Sequence, residues 1–320
     1  MPCACCLMVG WRCAVFFLSD EERRFVLRKL LPESRRRDIH PELRGWSWSE
    51  PPMAPVYEAP LGVAEVAGRY CGSGRDLYLR RVAGVRVDPS LPMLEGRLLH
   101  EAVADQLQRA IRVLYTTPVE AALKALESIR SPGVEPRDLA LLPEPARGAV
   151  LEKSAALVGF EYHRIVTRVA DVLARQPRVG QSGLVALALP VTVELPLDGR
   201  FLGLSSHLSV DAVSLFEPMV VDLKFGSRRD FHRLATTGYA LVMESLHEFP
   251  INLGCITYCQ VEKGRVRLER DFHLIDEELR QWFLELRDEM MRVVSEGIDP
   301  GRASECGVTC PYRSHCGGDG

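Results

Sequence analysis

Residues 208–226, LSVDAVSLFEPMVVDLKFG, hold two apolar runs on either side of Glu217-Pro218. A Glu-Pro dipeptide between β-branched runs favours a turn, so the segment reads as two strands joined by a hairpin. The second run, MVVDLKFG, is short and apolar enough on both faces to be a central strand. Side chains alternate along a strand, so Asp222 and Lys224, two apart, share one face. The partner strand can set Asp211 beside them. Carboxylates buried without partners are costly, so two on neighbouring central strands call for a cation.

Working outward, LVALALPVTVEL (184–195) alternates and predicts a first strand. Asp198-Gly199 then predicts a tight hairpin, and FLGLSSHLSVDAVSLF (201–216) returns as the second strand. Downstream, the pattern predicts a helix from about Arg229 to His247, strands over 251–259 and 265–273, and a last helix over 275–296. Ahead of the strands the chain reads as helical. Ser19 and Glu22 form a capping box that opens a helix to about Leu31. RGWSWSEPPMAP (44–55) is turn-rich, a helix fits Gly62 to Cys71, and RDLYLRRV (75–82) is a short helix or strand. Further helices fit 94–115, 119–130 and 147–175, with a Pro-rich connector over 132–145. The expected class is α/β, a mixed central sheet flanked by helices, with a helical N-terminal part.

Composition sets limits. The chain has 320 residues, 47% hydrophobic and 26% charged, which excludes disorder, collagen and coiled coil for the whole. Net charge is −3, so an anionic partner would have to meet a local patch. Arg35–Arg37, Arg80–Arg81 and Arg228–Arg229 are candidates, and Trp46 and Trp48 are aromatic neighbours for a base, although core packing suits them as well. No apolar run reaches the roughly 18 residues of a membrane span. Residues 3–18 are apolar but lack a basic leader and a small-residue cleavage site, so a start codon placed too far upstream accounts for residues 1–14 and a cytoplasmic location is expected.

Ten cysteines are many for a chain too long to need disulfide staples. Cys306, Cys310 and Cys316 fall within eleven residues, with Gly307, Pro311, Gly317 and Gly318 around them, a loop that gains order if its thiolates share a metal centre. Zinc or a cubane cluster takes four ligands, and Cys71, entering the turn CGSG, is the best fourth. Cys255 and Cys259, in INLGCITYC, read as buried structural residues.

Two carboxylates and a carbonyl oxygen suit Mg²⁺ or Mn²⁺, which binds a phosphate oxygen and acidifies water, while an ammonium positions that water. This is the chemistry of phosphodiester hydrolysis, and Lys224 is one of only five lysines. GRLLH (96–100) can add a nitrogen ligand from His100, and HRLATTGYALVMES carries Arg233 and Tyr239 toward a phosphodiester.

This order of motifs, G-x-x-x-H, Asp on one strand, D-x-K on the next and a Tyr-bearing helix, resembles the RecB-like branch of the PD-(D/E)XK nuclease superfamily. One cysteine before the motifs and three after them is similar to its iron–sulfur members, the AddB-type helicase–nucleases and the CRISPR-associated RecB-like exonucleases. There is no room for a helicase in this length. FFLSDEE, ELRGWSW, YCGSGRDLYLRRV and HRLATTGYAL look most like the archaeal type I-A CRISPR-associated subgroup, over about residues 15–318. The resemblance implies a restriction-endonuclease-like sheet and four stretches: an extension (1–60), a helical part with Cys71 and G-x-x-x-H (61–182), a nuclease core (183–297) and a cysteine loop (298–320).

It also implies that His100, Asp211, Asp222 and the Leu223 carbonyl hold Mg²⁺ or Mn²⁺, with Lys224 and Tyr239 completing the catalytic set. Cys71, Cys306, Cys310 and Cys316 would bind a 4Fe–4S cluster that staples the two chain ends, with zinc as the other occupant. Arg228, Arg229 and Arg233 would contact DNA. The implied function is a metal-dependent exonuclease on single-stranded DNA ends, trimming or selecting spacer precursors beside the CRISPR integrase proteins, as a monomer or homo-oligomer. Two positions depart from the family pattern: Leu208 replaces the glycine of G-x-x-D, and Ala235 replaces the glutamine of Q-x-x-x-Y. The second favours an alternative, a non-catalytic iron–sulfur DNA-binding or assembly subunit.

Overall fold

The computed structural model describes residues 14–132, 139–214, 216–307 and 309–317. Cys3, Cys5, Cys6 and Cys13, most of the region assigned to an over-extended start, and residues 133–138 of the Pro-rich connector lie outside the described residues.

The helices, in chain order, are α1 (Asp20–Phe25), α2 (Leu31–Arg36), α3 (Val63–Ala67), α4 (Arg75–Arg81), α5 (Leu91–Thr116), α6 (Ala122–Ala125), α7 (Glu144–Arg175), α8 (Gln181–Ala188), α9 (Arg233–His247) and α10 (Glu277–Glu296). A π-helical turn, Val26–Leu30, joins α1 to α2. The strands are β1 (Thr192–Leu197), β2 (Leu208–Ser214), β3 (Met219–Lys224), β4 (Leu253–Glu262) and β5 (Arg265–Leu274), in the spatial order β1-β2-β3-β4-β5. Hairpins make three of the junctions antiparallel, and α9 returns the chain so that β3 and β4 run parallel. The expected mixed sheet flanked by helices is therefore present. No helix among the described residues is long and apolar enough to cross a membrane.

β3 is buried on both faces up to Leu223, as its composition requires. Met219, Val221 and Leu223 join one core with α5, α7, α8 and residues 14–18, while Val220 joins the other with α3, α9 and α10. The Ser19–Glu22 capping box forms as predicted, and Cys255 and Cys259 are buried in the first core. The second core has an ionic centre. Glu244, fully buried on α9, accepts from Arg280 at 2.8 and 2.9 Å, Arg44 at 3.1 Å and the Gly45 N–H at 3.0 Å. Gly45 must be glycine, since a Cβ there would come within 2.1 Å of the Leu241 carbonyl.

Three predicted elements differ. Residues 184–188 belong to α8 and are not strand. Leu and Ala propagate a helix as readily as they pair, and Pro190 stops it, so the strand starts only at Thr192. Asp198-Gly199 is no two-residue hairpin: β1 and β2 are joined by residues 198–207, which include a 3₁₀ turn, Arg200–Leu202, and a bridge from Leu204 to Leu61. Asp198 pairs with Arg200 instead of closing a tight turn. The helix placed over Gly62–Cys71 ends at Ala67, where Gly68 leaves helical geometry, so Tyr70 and Cys71 lie in a turn.

The stretch 14–18 is tied to the body through Glu161, fully buried on α7, which accepts from the Val15 N–H at 3.1 Å. Burial pushes the Glu161 carboxyl up to about 7, against the Val15 N–H, Arg270 and Arg164. An acid with a raised folded pKa keeps its proton more readily when folded. Its contribution is full below the unfolded pKa and is lost as pH rises through the folded one, at about 1.4 kcal/mol per pH unit between them. Urea unfolding from pH 4.5 to 8 should show Glu161→Gln losing less stability with rising pH than wild type. Parallel pH profiles for the two proteins would show that Glu161 does not titrate in this way.

Candidate active site

The β2–β3 ladder ends at Ala212 opposite Val221, so the Leu223 N–H, two residues on, has no strand partner on that side. Asp211 takes it: the carboxylate Oδ2 accepts from the Leu223 N–H at 2.7 Å. The carbonyl of the same residue accepts from His100 Nε2 at 2.8 Å, which brings the third turn of α5 to the exit of β3. His100 Nδ1 lies 3.8 Å from Asp211 Oδ2. Asp222 and Lys224 share a face as predicted, with Lys224 Nζ donating to Asp222 Oδ1 at 2.9 Å. The five groups proposed from sequence, His100, Asp211, Asp222, Leu223 and Lys224, thus meet at one strand end.

The charges are mutually adjusted. Burial, joined by the like charge of Asp222, pushes Asp211 up to about 6, against His100, Lys224 and the Leu223 N–H. Burial works against the Lys224 charge, but Asp222 and Asp211 outweigh it and hold the ammonium protonated. Tyr239 projects from α9 beside the carboxylates; burial, then Asp211, Asp222 and Glu194, raise its pKa and keep its O–H a donor. Asp222 Oδ2 lies 2.7 Å from Lys224 Nζ, yet it is buried and receives no well-directed hydrogen bond. Unfilled acceptor capacity on a buried carboxylate is expensive. A hard divalent cation, with oxygen donors from Asp211, Asp222 and Leu223, suits that position.

The arginines divide. Arg233 and Arg228 both bind Asp271, at 2.8–2.9 Å and 3.0 Å, and their pull overcomes burial to hold that carboxyl below its usual range. Arg229 is exposed and makes no ion pair with the described residues. Of the other candidates, Arg37 pairs with Glu33 and Asp276, and Arg80 and Arg81 pair with Glu65. Trp48 stacks on Phe201 and Trp46 lies under Arg44, well apart from the β3 exit in sequence and partners.

A chain of three hydrogen-bonded side chains beside Lys224 is not evident from the sequence. Tyr70 OH lies 3.0 Å from His232 Nε2, and His232 Nδ1 lies 3.0 Å from Tyr258 OH. Tyr258 is the register partner of Lys224 across the parallel β3–β4 pair. The one signal in the sequence was a tyrosine late in the apolar run INLGCITYC, at the depth where β3 turns polar.

The cysteine loop folds back on the CGSG turn. Ser73 Oγ donates to the Gly301 carbonyl at 2.8 Å, and Arg75 forms a bidentate pair with Asp299. Burial raises the Cys310 pKa, and Cys306 and Cys71 beside it raise it further. Arg75 is favoured in its charged form first by Asp299 and also by Cys316. Cys71, Cys306, Cys310 and Cys316 are free thiols, each half-buried. Among the described residues no three His, Cys, Asp or Glu side chains form a ready metal cage as they stand. Four thiols are nevertheless the number and kind of donors that a cubane cluster or zinc takes.

Residues 16–319 match the protein family described as CRISPR-associated exonuclease Csa1. A protein of that name from Thermoproteus tenax is 32% identical over 291 residues, covering 91% of this chain and 96% of its own. Another, from Saccharolobus solfataricus, is 30% identical over 282 residues, covering 88% and 93%. With a match along nearly its whole length, this chain belongs to the Csa1 family of CRISPR-associated exonucleases.

Proposed function

We propose that this protein is a Mg²⁺- or Mn²⁺-dependent DNA exonuclease that hydrolyses phosphodiesters at single-stranded ends during CRISPR adaptation, beside the integrase proteins that acquire spacers. The carrying observation is the buried Asp222 oxygen left without a directed donor at the point where Asp211, His100 and the Leu223 peptide meet. Asp211, Asp222, the Leu223 carbonyl and His100 would hold the metal, which when bound polarises a phosphate oxygen and acidifies a water. Lys224, kept charged by Asp222 and Asp211, positions the attacking water and offsets charge building on the phosphate. Tyr239, kept neutral, donates its hydroxyl toward the same phosphate. Arg229 is the arginine best free to hold the DNA backbone, whereas Arg228 and Arg233 would have to share Asp271 with it. The names of the relatives support an exonuclease tied to CRISPR. The choice of DNA, of single-stranded ends and of adaptation rests on the motif resemblance.

A 4Fe–4S cluster on Cys71, Cys306, Cys310 and Cys316 would serve structure, because closing so long a loop restricts the unfolded chain and turns ligand binding into folding free energy. One observation favours a second reading, a non-catalytic iron–sulfur DNA-binding or assembly subunit. Ala235, buried one turn before Tyr239, brings no polar group where the family pattern has glutamine.

Anaerobically purified protein, end-labelled single-stranded DNA and Mn²⁺ separate these readings. Wild type should shorten the strand and Asp222→Ala should fall to background. Wild-type rates in Asp222→Ala would remove Asp222 from the site, and DNA binding without cleavage by either protein would establish the second reading. The cluster has its own test. Anaerobic protein should be brown, with broad visible absorption and about four irons per chain, and Cys310→Ser should lose iron and unfold at lower temperature. A colourless, iron-free preparation would sink the cluster, and bound zinc would replace it.

A further inference from the structure

Tyr70 precedes Cys71 in the turn left where α3 stops. The residue is 69% exposed, unusual for a large aromatic, yet both its ring and its hydroxyl have partners. Phe231 meets the ring edge-on, with centroids 5.0 Å apart and planes at 84°, and the hydroxyl is tied to His232. His232 is buried and is anchored in turn to Tyr258, beside Lys224. Burial, then Lys224, bring the His232 pKa down to about 4, so the ring is neutral and joins the two hydroxyls through one donor and one acceptor nitrogen. Lys224, Asp222 and Arg229 all act electrostatically on the Tyr70 hydroxyl, which puts this residue at the rim of the β3-exit site.

An aromatic face that is exposed, fixed in orientation and next to both a phosphate-directed centre and an uncommitted arginine has the chemistry to stack on a base. Within a duplex each base face is already covered by its neighbours. A fixed ring can therefore take only a base that has left the stack, as at a single-stranded or frayed end. We propose that Tyr70 stacks on an unpaired nucleobase of the strand whose phosphodiester enters the Asp211–Asp222–Lys224 site, with Arg229 holding a neighbouring phosphate. This rests on the nuclease reading above and specifies how single-stranded ends would be selected.

The test is binding without cleavage. Anaerobic protein in EDTA is titrated with a short single-stranded oligonucleotide carrying 2-aminopurine near its end, and separately with a blunt duplex. Tyr70→Ala and Tyr70→Leu should weaken single-strand binding roughly 5- to 100-fold and abolish the fluorescence change of stacking, with duplex binding unaltered. Tyr70→Phe and Tyr70→Trp should retain both. Because Tyr70 adjoins Cys71, iron content and melting temperature are measured for every variant, and Leu, which fills the space without a π face, separates stacking from packing. Unchanged single-strand binding in Ala and Leu overturns the proposal, as does Phe failing as badly as Ala, since the hydroxyl would then be the contact. If wild type cleaves and Tyr70→Ala matches it in binding and cleavage, stacking fails while the nuclease reading stands. If wild type binds through the Tyr70 ring but never cleaves, the base contact stands and the nuclease reading falls.

Discussion

The candidate site depends on a single peptide unit. Leu223 offers its N–H and C=O on the side from which β2 has already departed, and neither group can be left bare in a buried setting. Asp211 pairs with the donor and His100 with the acceptor, so one residue of β3 left without a partner on its β2 side draws together a strand and a helix far apart in sequence. Extending the β2–β3 ladder by two pairs, to Val210 opposite Leu223, would satisfy Leu223 by backbone alone and remove the reason for Asp211 to face inward. The early end of the ladder is thus what makes the site polar.

The parallel step from β3 to β4 supplies the rest. It requires a crossover, and α9 makes it, laying Tyr239 beside the carboxylates and delivering His232 at its start. The same helix is locked from behind by Glu244, whose carboxylate gathers Arg280, Arg44 and the Gly45 N–H with nothing exposed. Breaking a buried ion pair of this kind leaves a stranded charge and costs about 3–5 kcal/mol. A rigid anchor on the core side of α9 allows the opposite side to hold groups in defined orientation over the site.

The cysteine loop adds a link between the chain ends. Ser73, Arg75 and Asp299 hold the C-terminal segment against the turn that follows Tyr70. The Cys71 thiol therefore sits one residue from an aromatic group at the rim of the site.

Much of the site was legible in the chain because strand alternation is short-range: Asp222, Lys224 and the turn before them follow from neighbouring residues alone. The capping box at Ser19 and the buried cysteines of INLGCITYC were legible for the same reason. The helix α8 and the long β1–β2 connection were not, since LVALAL satisfies either periodicity and Asp198-Gly199 closes a hairpin only if the flanking strands reach it. Nor was the Tyr70–His232–Tyr258 chain, whose three members come from a turn, a helix start and a strand. The sequence by itself determined the mixed sheet, the polar exit of β3 and the cysteine spacing, all set by local pattern. Only the tertiary structure decided where β2 peels away, which arginines are taken up by Asp271 and which aromatic ring stands exposed at the rim. Those outcomes depend on the pairing of backbone and charged groups distant along the chain, and no local pattern encodes that pairing.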